Sequence, residues 1–257
     1  MTQKLLSVEG EVALITGANG GLGWAMAAGL RVAGALVAVT GRNEEKNRAI
    51  ARELGDPHAV IPLDVRREEA VERAVAQVLE RFGHLDVLVN NAGNFRGGSV
   101  LNMPREDWTA VVETHLTGSY LCAKHASRAM VERGEGGKII NIGSMYSLYG
   151  PPSYANYAAA KSGILGLTRA LAVELAAHRI QVNAILPGWF ETALTSGAPP
   201  TEWGERIRRK TPAGRWGNLE DLVGAVVFFA SKASDFVSGT ALPVDGGYAV
   251  ADRLLPE

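Results

Sequence analysis

Three polar side chains near the middle of the chain have the types and spacing that proton transfer requires. Tyr157 and Lys161 lie four residues apart with three alanines between them, and a helix there would place both side chains on one face. A free phenol has a pKa of about 10, whereas an ammonium about 4 Å away, at an effective dielectric constant of about 20, favours the phenolate by roughly three pKa units. We therefore predict that Lys161 lowers the pKa of Tyr157 and that the phenol acts as acid and base near neutral pH.

Ser144 precedes Tyr157 by thirteen residues and closely follows an apolar run that ends at Ile142. Such a run is typical of a β-strand, so the serine is predicted at the strand's carboxyl end, where its hydroxyl would hold a substrate oxygen beside the phenol. From these residues alone, the alternative of a surface tyrosine, a solvated lysine and a strand-end serine stays open.

The rest of the chain alternates between short apolar runs and helix-forming segments. Strands are predicted at 12–16, 35–40, 58–63, 85–90, 138–142, 180–186 and 240–244, and helices at 22–32, 43–54, 67–82, 105–132, 153–177 and 219–230. Apolar strands separated by helices indicate a parallel sheet that is covered on both faces. No linker or low-complexity segment interrupts the alternation, so a single α/β domain is predicted. The long irregular region 187–200 is typical of a lid or a binding loop.

Composition argues against several kinds of partner. The net charge is −1, without a long run of either sign, so neither nucleic acid nor an anionic membrane surface is predicted as a partner. No apolar stretch reaches the roughly eighteen residues that a membrane span needs. The single cysteine, Cys122, excludes an internal disulfide, and its apolar helical context predicts a packed thiol in a reducing cytoplasm. No metal site is predicted.

Four glycines lie between the first predicted strand and the first predicted helix: Gly17, Gly20, Gly21 and Gly23. At this junction of a doubly wound sheet, glycines let the backbone approach a dinucleotide pyrophosphate, and the helix N-terminus supplies amide donors and a positive dipole. The spacing is GxxxGxG, and the alternative is a purely structural turn.

Three further segments follow predicted strands at the same edge of the sheet. Asp64 would either accept a hydrogen bond from an adenine amine or cap the following helix, and both alternatives stay open. The small residues of 90–93 would leave room for a nucleotide, unless they form a plain turn. The segment 187–192 would offer backbone groups and the Thr192 hydroxyl to a carboxamide, unless it is one more Pro-Gly turn.

Together these motifs resemble the short-chain dehydrogenase/reductase family over essentially the whole chain, from Val12 to Tyr248. The resemblance implies a single Rossmann-like domain, a doubly wound sheet of seven parallel strands with helices on both faces, hydride transfer to or from a nicotinamide, and a homotetramer. It implies that Tyr157 is the acid/base, that Lys161 lowers its pKa and binds the nicotinamide ribose, and that Ser144 orients the reacting oxygen. The residues predicted to bind the cofactor are Gly17, Asn19, Gly21, Leu22, Gly23, Arg42, Asp64, Val65, Asn91, Ala92, Gly93, Tyr157, Lys161, Pro187, Gly188 and Thr192.

One position departs from the family pattern. The family usually has asparagine where this chain has His115, and that asparagine helps to hold a water molecule that links the lysine to solvent. His115 is therefore a candidate catalytic residue with two interpretations: a substitute proton carrier, or a packed helix residue beside a relay of backbone and water. We favour the packed residue.

The end of the second predicted strand indicates which cofactor binds. NAD-selective relatives generally end that strand with an acid, which hydrogen-bonds the adenosine ribose and repels a 2′-phosphate. This chain has Gly41 there, followed by Arg42, whose guanidinium can bind a phosphate through two parallel N–H donors. We predict a moderate preference for NADP(H), with NAD(H) as the alternative, because Gly20 replaces a second basic residue often present in NADP-binding relatives. A solvated surface arginine is the other interpretation of Arg42.

Small side chains on the helix predicted at 153–177 also favour a tetramer. Gly163 and Gly166 each cost about 1 kcal/mol inside a helix, and close approach of a partner helix would explain them.

The sequence thus predicts an oxidoreductase that interconverts a ketone and a secondary alcohol. A nucleotide-sensing binding module without turnover is the alternative, although a sensor would not need Ser144, Tyr157 and Lys161 together. An epimerase or dehydratase is disfavoured because such relatives generally carry a larger substrate domain. The segments 211–217 and 244–248 are similar to members acting on sugar acids, such as gluconate and its keto forms, and to 3-oxoacyl reductases, without separating them. An aromatic pocket wall for a bulky or ring-shaped substrate, or alternatively core packing, is predicted for Met145, Tyr146, Tyr149, Trp189, Phe190 and Trp203.

Overall fold

One parallel sheet of seven strands runs through the protein, of which the computed structural model describes residues 5–192 and 195–252. The strands are β1 Val12–Ile15, β2 Leu36–Gly41, β3 Ala59–Pro62, β4 Val87–Asn90, β5 Gly137–Ile142, β6 Ile180–Pro187 and β7 Ala241–Val244. Their order in the sheet is β3-β2-β1-β4-β5-β6-β7. Because the order reverses between β1 and β4, a crevice opens outside the carboxyl ends of these two strands. The predicted doubly wound, Rossmann-like fold is confirmed.

Helices cover both faces of the sheet, and each face has its own apolar core. The helices are α1 Gly21–Val32, α2 Glu44–Leu54, α3 Glu68–Phe82, α4 Arg105–Val112, α5 Gly118–Arg133, α6 Ala155–Glu174, α7 Glu202–Lys210 and α8 Val223–Ala230. On one face, Leu30 of α1 and Phe229 of α8 are fully buried with the strand side chains. On the other face, Val78 of α3 and Met130 of α5 fill the same role. Burial on both faces explains why the strands are nearly continuous apolar runs.

Cys122 lies in the second of these cores, on α5. It is buried, and burial raises the pKa of its thiol to about 12. The thiol is therefore packed and protonated at neutral pH, as the sequence predicted.

Two helical segments differ from the prediction. The single helix predicted at 105–132 is interrupted by a π-helical segment, Glu113–Thr117. Hydroxyls compete with backbone amides there, because Thr114 Oγ1 and Ser119 Oγ donate hydrogen bonds to backbone carbonyls one turn earlier, at 2.8 and 2.7 Å. Helix α7 was not predicted at all, because its segment is strongly polar. Its start is fixed by Thr201, whose hydroxyl accepts the amide hydrogen of Gly204 at 3.1 Å.

The irregular region predicted at 187–200 has no helix in its described part. Residues 193 and 194 of this prediction lie outside the described residues. Elsewhere in the described ranges, no helix is long and apolar enough to cross a membrane. The same ranges contain no group of three or more side chains that could together hold a metal ion.

Candidate active site

The structure brings Ser144, Tyr157 and Lys161 together at the carboxyl end of β5. Tyr157 lies in the first turn of α6, and Ser144 follows the strand and caps a short 3-10 turn. The Ser144 hydroxyl lies close enough to the Tyr157 phenol to influence its pKa. Lys161, one turn further along α6, is buried, and its Nζ lies 5.7 Å from the centroid of the Tyr157 ring. A substrate oxygen placed between the serine and the phenol would therefore touch both hydroxyls.

The electrostatics of this group differ from the sequence prediction. Burial is the main influence on Tyr157 and raises its pKa, while the nearby Ser144 hydroxyl opposes that rise. Burial also lowers the pKa of Lys161 to about 7. The predicted lowering of the phenol pKa by the ammonium is therefore wrong in this structure, because Lys161 Nζ donates instead to the Ile142 carbonyl oxygen at 2.6 Å. The burial of the Tyr157 phenol therefore affects its pKa more than the Lys161 ammonium, which is directed at the Ile142 carbonyl.

His115 lies in the π-helical segment and packs against Tyr157. Its ring meets that of Tyr157 edge to face, with centroids 5.2 Å apart. Nε2 lies 2.7 Å from the carbonyl oxygen of Asn94 and 3.2 Å from its amide nitrogen, so the Asn94 backbone holds this edge of the ring. Nδ1 is buried without a hydrogen-bond partner among the described residues. Burial, reinforced by the charge of Lys161, lowers the pKa of His115 to about 3, so the ring is neutral near pH 7.

The glycine turn is locked to the residues that follow β4. Asn91 Nδ2 donates to the carbonyl oxygens of Thr16 and Gly17 at 2.9 and 3.0 Å. In return, Thr16 Oγ1 accepts the amide hydrogens of Asn91 and Ala92, both at 3.0 Å. A side chain at Gly17 would come within 2.6 Å of the Ala92 backbone, and one at Gly23 within 2.4 Å of the Asn91 amide. These glycines are therefore required by close approach across the crevice.

Helix α1 begins directly after this turn, with Gly21 and Leu22 as its first residues. Apart from the adjoining backbone, no atom of the described residues lies within 4 Å of where a Cβ of Gly20 or Gly21 would be. The helix N-terminus is thus exposed to the crevice without side chains in front of it. Backbone amides in this position can bind an anion. On the other side of the crevice, Gly93 lies against the ring of His115, whose Cε1 is 2.5 Å from the position of an added Cβ.

The far end of the crevice lies at β2 and β3. The Asp64 carboxylate pairs with Arg66 at 2.5 Å, and this hydrogen bond is the main reason why the pKa of Asp64 is lowered. The helix cap of α3 is Arg67, so the interpretation of Asp64 as its cap is wrong. Arg42 is exposed, and its charge also contributes to lowering the pKa of Asp64. Val65 is buried against Gly118 of α5.

The segment after β6 lies at the same edge of the sheet. The Gly188 amide donates to the Val244 carbonyl of β7 at 3.0 Å, and an added side chain at Gly188 would come within 2.7 Å of Asp245. Pro187 is the last residue of β6. Thr192 is held by Thr195, whose Oγ1 accepts the Thr192 amide hydrogen at 2.9 Å. The structure therefore places all the predicted cofactor residues along one edge of the sheet.

A cluster of aromatic rings adjoins the Tyr157 phenol. The Tyr146 ring lies 6.3 Å from that of Tyr157, 6.1 Å from that of Trp189 and 5.8 Å from that of Tyr149, edge to face in each case. Trp203 of α7 packs on Trp189 at 4.9 Å. These four rings form a cluster beside Tyr157, and the predicted pocket wall for a bulky substrate stays a prediction. Met145 and Phe190 are buried, in agreement with the alternative of core packing.

Sequence reasoning missed Lys210 and Tyr248. The two rings of Tyr149 and Tyr248 stack with centroids 6.3 Å apart, and Lys210 Nζ lies 5.3 and 4.2 Å from them. The neighbouring arginines of α7, Arg208 and Arg209, are both paired with Glu205. For Lys210, by contrast, no carboxylate lies within ion-pair distance in the described ranges. A lysine at the end of a polar segment gives no sequence signal of its own, because only the fold brings it onto the tyrosines.

The chain is similar to known proteins over nearly its full length. Residues 17–249 match a family model described as enoyl-(acyl carrier protein) reductase. A 2-dehydro-3-deoxy-D-gluconate 5-dehydrogenase from Formosa agariphila is 41% identical over 256 residues, which cover 96% of each chain. A gluconate 5-dehydrogenase from Burkholderia cenocepacia, solved in complex with NADP and tartrate, is 38% identical, with a TM-score of 0.93 and coverage of 98% of this chain and 100% of that one. A short-chain type dehydrogenase/reductase from Mycobacterium marinum is 35% identical, with a TM-score of 0.91 and the same coverage.

Proposed function

The chain belongs to the short-chain dehydrogenase/reductase family, and on that premise we propose that this member interconverts a sugar acid and its keto form with NADP(H). It is an oxidoreductase that interconverts a ketone and a secondary alcohol. The observation that carries the proposed catalytic roles is the grouping of Ser144, Tyr157 and a buried Lys161 at the carboxyl end of β5.

The crevice fits a nicotinamide dinucleotide. The N-terminus of α1 faces open space at Gly20 and Gly21, as a pyrophosphate site requires. The Burkholderia relative was solved with NADP bound. Position 41, where an acid would disfavour the 2′-phosphate, is a glycine, and Arg42 beside it is exposed. These observations support NADP(H) as the preferred cofactor, held by the residues predicted from the sequence.

The protein's part in the reaction is proton transfer and positioning. When bound, the nicotinamide supplies the hydride in ketone reduction and accepts it in alcohol oxidation. In reduction, the Tyr157 phenol donates its proton to the carbonyl oxygen that the Ser144 hydroxyl holds. Because burial raises the phenol pKa, Tyr157 is protonated and ready to donate at neutral pH. Lys161 then restores the proton, since a pKa of about 7 allows the amine to exchange protons near neutral pH.

Sugar acids are the favoured substrates because a suitable cation and suitable hydrogen-bonding groups belong to the aromatic cluster that Tyr146 connects to the phenol. Lys210 has no carboxylate partner in the described ranges, and a substrate carboxylate would supply one. Tyr149 OH and Trp189 Nε1 are buried without partners among the described residues. Unpartnered buried polar groups are costly, and the hydroxyls of a sugar acid would satisfy them. The names of the Formosa and Burkholderia relatives point to the same class.

The experiment is a substrate panel followed by loss of absorbance of reduced nicotinamide. Keto sugar acids, their neutral amides, simple ketones and 3-oxoacyl thioesters are compared. With Lys210→Met, the KM for keto sugar acids should rise about tenfold to a hundredfold, because a charge-assisted contact is worth about 1.5 to 3 kcal/mol. The KM for the neutral amides should stay within about twofold. Lys232→Met, at another exposed lysine, is the matched control.

A 3-oxoacyl substrate is the second candidate, because the chain is also 38% identical over 240 residues to a relative named 3-oxoacyl-[acyl-carrier-protein] reductase. Higher kcat/KM for thioesters than for every keto sugar acid would establish that candidate. An absence of turnover on the whole panel, with intact cofactor binding, would instead favour the nucleotide-sensing module.

We also infer a cytoplasmic homotetramer. Gly163 does not need a partner chain to explain it, because its open side is filled by Leu116 of the same chain. Gly166 is different: nothing described lies within 4 Å of its added Cβ, and Val173 on the same helix is 81% exposed. An exposed small and apolar helix face supports docking of a second copy. Light scattering at micromolar concentration tests the assembly, and a monomer mass would reject it.

A further inference from the structure

Position 41 is closed to any side chain larger than hydrogen. Gly41 is the last residue of β2, and its φ lies outside the left-handed region that favours glycine. The backbone itself would therefore accept another residue. Space does not allow it, because a Cβ at Gly41 would lie 2.1 Å from Nδ2 and 2.3 Å from Cγ of Asn19. Gly41 is required by Asn19, a residue of the glycine turn between β1 and α1.

A buried amide on α2 holds Asn19 in this position. Asn47 is 6% exposed, and its Nδ2 donates to the Gly41 carbonyl oxygen at 2.9 Å. Since that carbonyl can only accept, the orientation of the Asn47 amide is fixed. Its Oδ1 is then free to accept Asn19 Nδ2, also at 2.9 Å. The three residues form a closed unit in which Asn19 cannot swing away from Gly41 without losing a hydrogen bond.

The same unit sets the position of Arg42. The Gly41 carbonyl also accepts the Leu63 amide hydrogen of the β3 end at 3.2 Å, so the last peptide of β2 is held from two sides. Arg42 follows directly and is exposed beside Asp64. Asn43 then caps α2, with its side chain accepting the Lys46 amide hydrogen at 2.8 Å. Arg42 thus lies between the fixed Gly41 peptide and the Asn43 cap of α2.

We infer that Asn19, held by Asn47, determines cofactor choice by occupying the volume in which an acid at position 41 would read the adenosine ribose. Asn47 is a positioning residue in this scheme, and it acts through Asn19 and the Gly41 carbonyl. The preference for NADP(H) over NAD(H) therefore does not depend on Arg42 alone. An acid introduced at position 41 gains access to the ribose only when Asn19 is removed. This inference rests on the proposed NADP(H) function.

A double-mutant cycle with Gly41→Asp and Asn19→Gly tests it. Dissociation constants for NADPH and NADH are measured on the wild type, both single variants and the double variant by isothermal titration calorimetry. Gly41→Asp alone should weaken both cofactors, because the acid displaces Asn19 and distorts the turn. In the double variant, NADH should bind at least tenfold more tightly than to Gly41→Asp, while NADPH should not recover. Additive effects on NADH within about twofold would overturn the inference.

Folding gives a second readout of the same coupling. Gly41→Ala adds only the colliding methyl group, so it should lower the melting temperature, and Asn19→Gly should restore it. Gly224→Ala on α8 is the control, because its added Cβ meets nothing within 4 Å in the described part of the chain outside its own helix backbone. If Gly41→Asp does not fold, rescue of folding by Asn19→Gly supports the inference, and failure of both rescues overturns it.

Steady-state kinetics distinguish a positioning role of Asn47 from a general structural role. Asn47→Ala should raise the KM for NADPH several-fold with a smaller change in kcat, and it should make Gly41→Ala tolerable by freeing the Asn19 side chain. An equal loss in KM and kcat, with no relief of Gly41→Ala, would contradict its positioning role. A wild type that binds neither nicotinamide cofactor would instead refute the proposed function, so the two failures are distinguishable.

Discussion

The two ends of the sheet use their buried polar groups in opposite ways. At the amino end, the Asp86 carboxylate accepts the Val12 amide hydrogen at 2.7 Å and pairs with Arg133 and with His84. At the carboxyl end lie all the buried side-chain polar atoms that lack a partner in the described ranges. These are Asn90 Oδ1, Asn94 Oδ1, His115 Nδ1, Tyr149 OH and Trp189 Nε1.

This difference indicates which end the protein uses for stability and which for ligands. A buried polar atom without a partner costs about 1 to 3 kcal/mol, so a fold that had only to be stable would satisfy these atoms. Their concentration around Tyr157 and the crevice is what a site that awaits polar ligands requires. Substitutions at the two ends should therefore have separable effects: loss of turnover at one end and loss of folding at the other.

The largest effect is expected at the carboxyl end with Tyr157→Phe. Only the transferable proton is removed, so turnover should fall by about 10² to 10⁴, while cofactor affinity and the melting temperature stay nearly unchanged. Steady-state rates, cofactor titration and thermal unfolding measure the three quantities. Tyr120→Phe, on the exposed side of α5, is the control. A variant with more than a tenth of the wild-type rate, with chemistry as the slow step, would rule out Tyr157 as the acid.

At the amino end, Asp86→Ala is expected to lower stability without changing turnover. The change leaves the buried Val12 amide without its acceptor and Arg133 without its closest carboxylate. Stability should fall by about 3 kcal/mol, whereas kcat of the folded fraction should not change. Urea denaturation measures the loss. Asp56→Ala removes an exposed carboxylate that pairs with Arg81, and it should cost less than about 1 kcal/mol. Equal losses from both substitutions would undermine the contrast between the ends.

Arg42→Ala, at the end of β2, is expected to weaken the binding of NADPH but not that of NADH. Loss of a charge-assisted pair of contacts costs about 1.5 to 3 kcal/mol, so NADPH should bind roughly ten- to a hundredfold more weakly and NADH nearly as before. Fluorescence titration with each cofactor measures this. Arg52→Ala on α2 is the matched control for a lost exposed arginine. The same loss for both cofactors would show that Arg42 does not bind the 2′-phosphate.

The smallest effect is expected for His115→Asn. With its pKa lowered to about 3, the imidazole stays neutral between about pH 5 and 8, so it does not carry protons there. The rate should change by less than tenfold, and the pH–rate profile should keep its shape. Recovery of a larger loss by added imidazole would make the side chain a proton carrier and would overturn the interpretation as a packed residue.

The sequence by itself determined the fold and the identity of the central residues. Apolar strands alternating with helices are sufficient to specify a parallel doubly wound sheet, because each pattern is local. The four-residue spacing of Tyr157 and Lys161 and the glycines after β1 are equally local. Their places in the fold follow from the order of the elements.

Only the tertiary structure decided the electrostatics and the contacts between distant segments. Whether Lys161 directs its charge at the phenol or at the Ile142 carbonyl depends on how α6 packs against β5. The approach of Lys210 to Tyr248 and the collision of position 41 with Asn19 likewise join residues far apart in the chain. Burial and through-space distance arise only when the elements pack, so pKa values and excluded volumes at the site cannot be read from residue type and spacing.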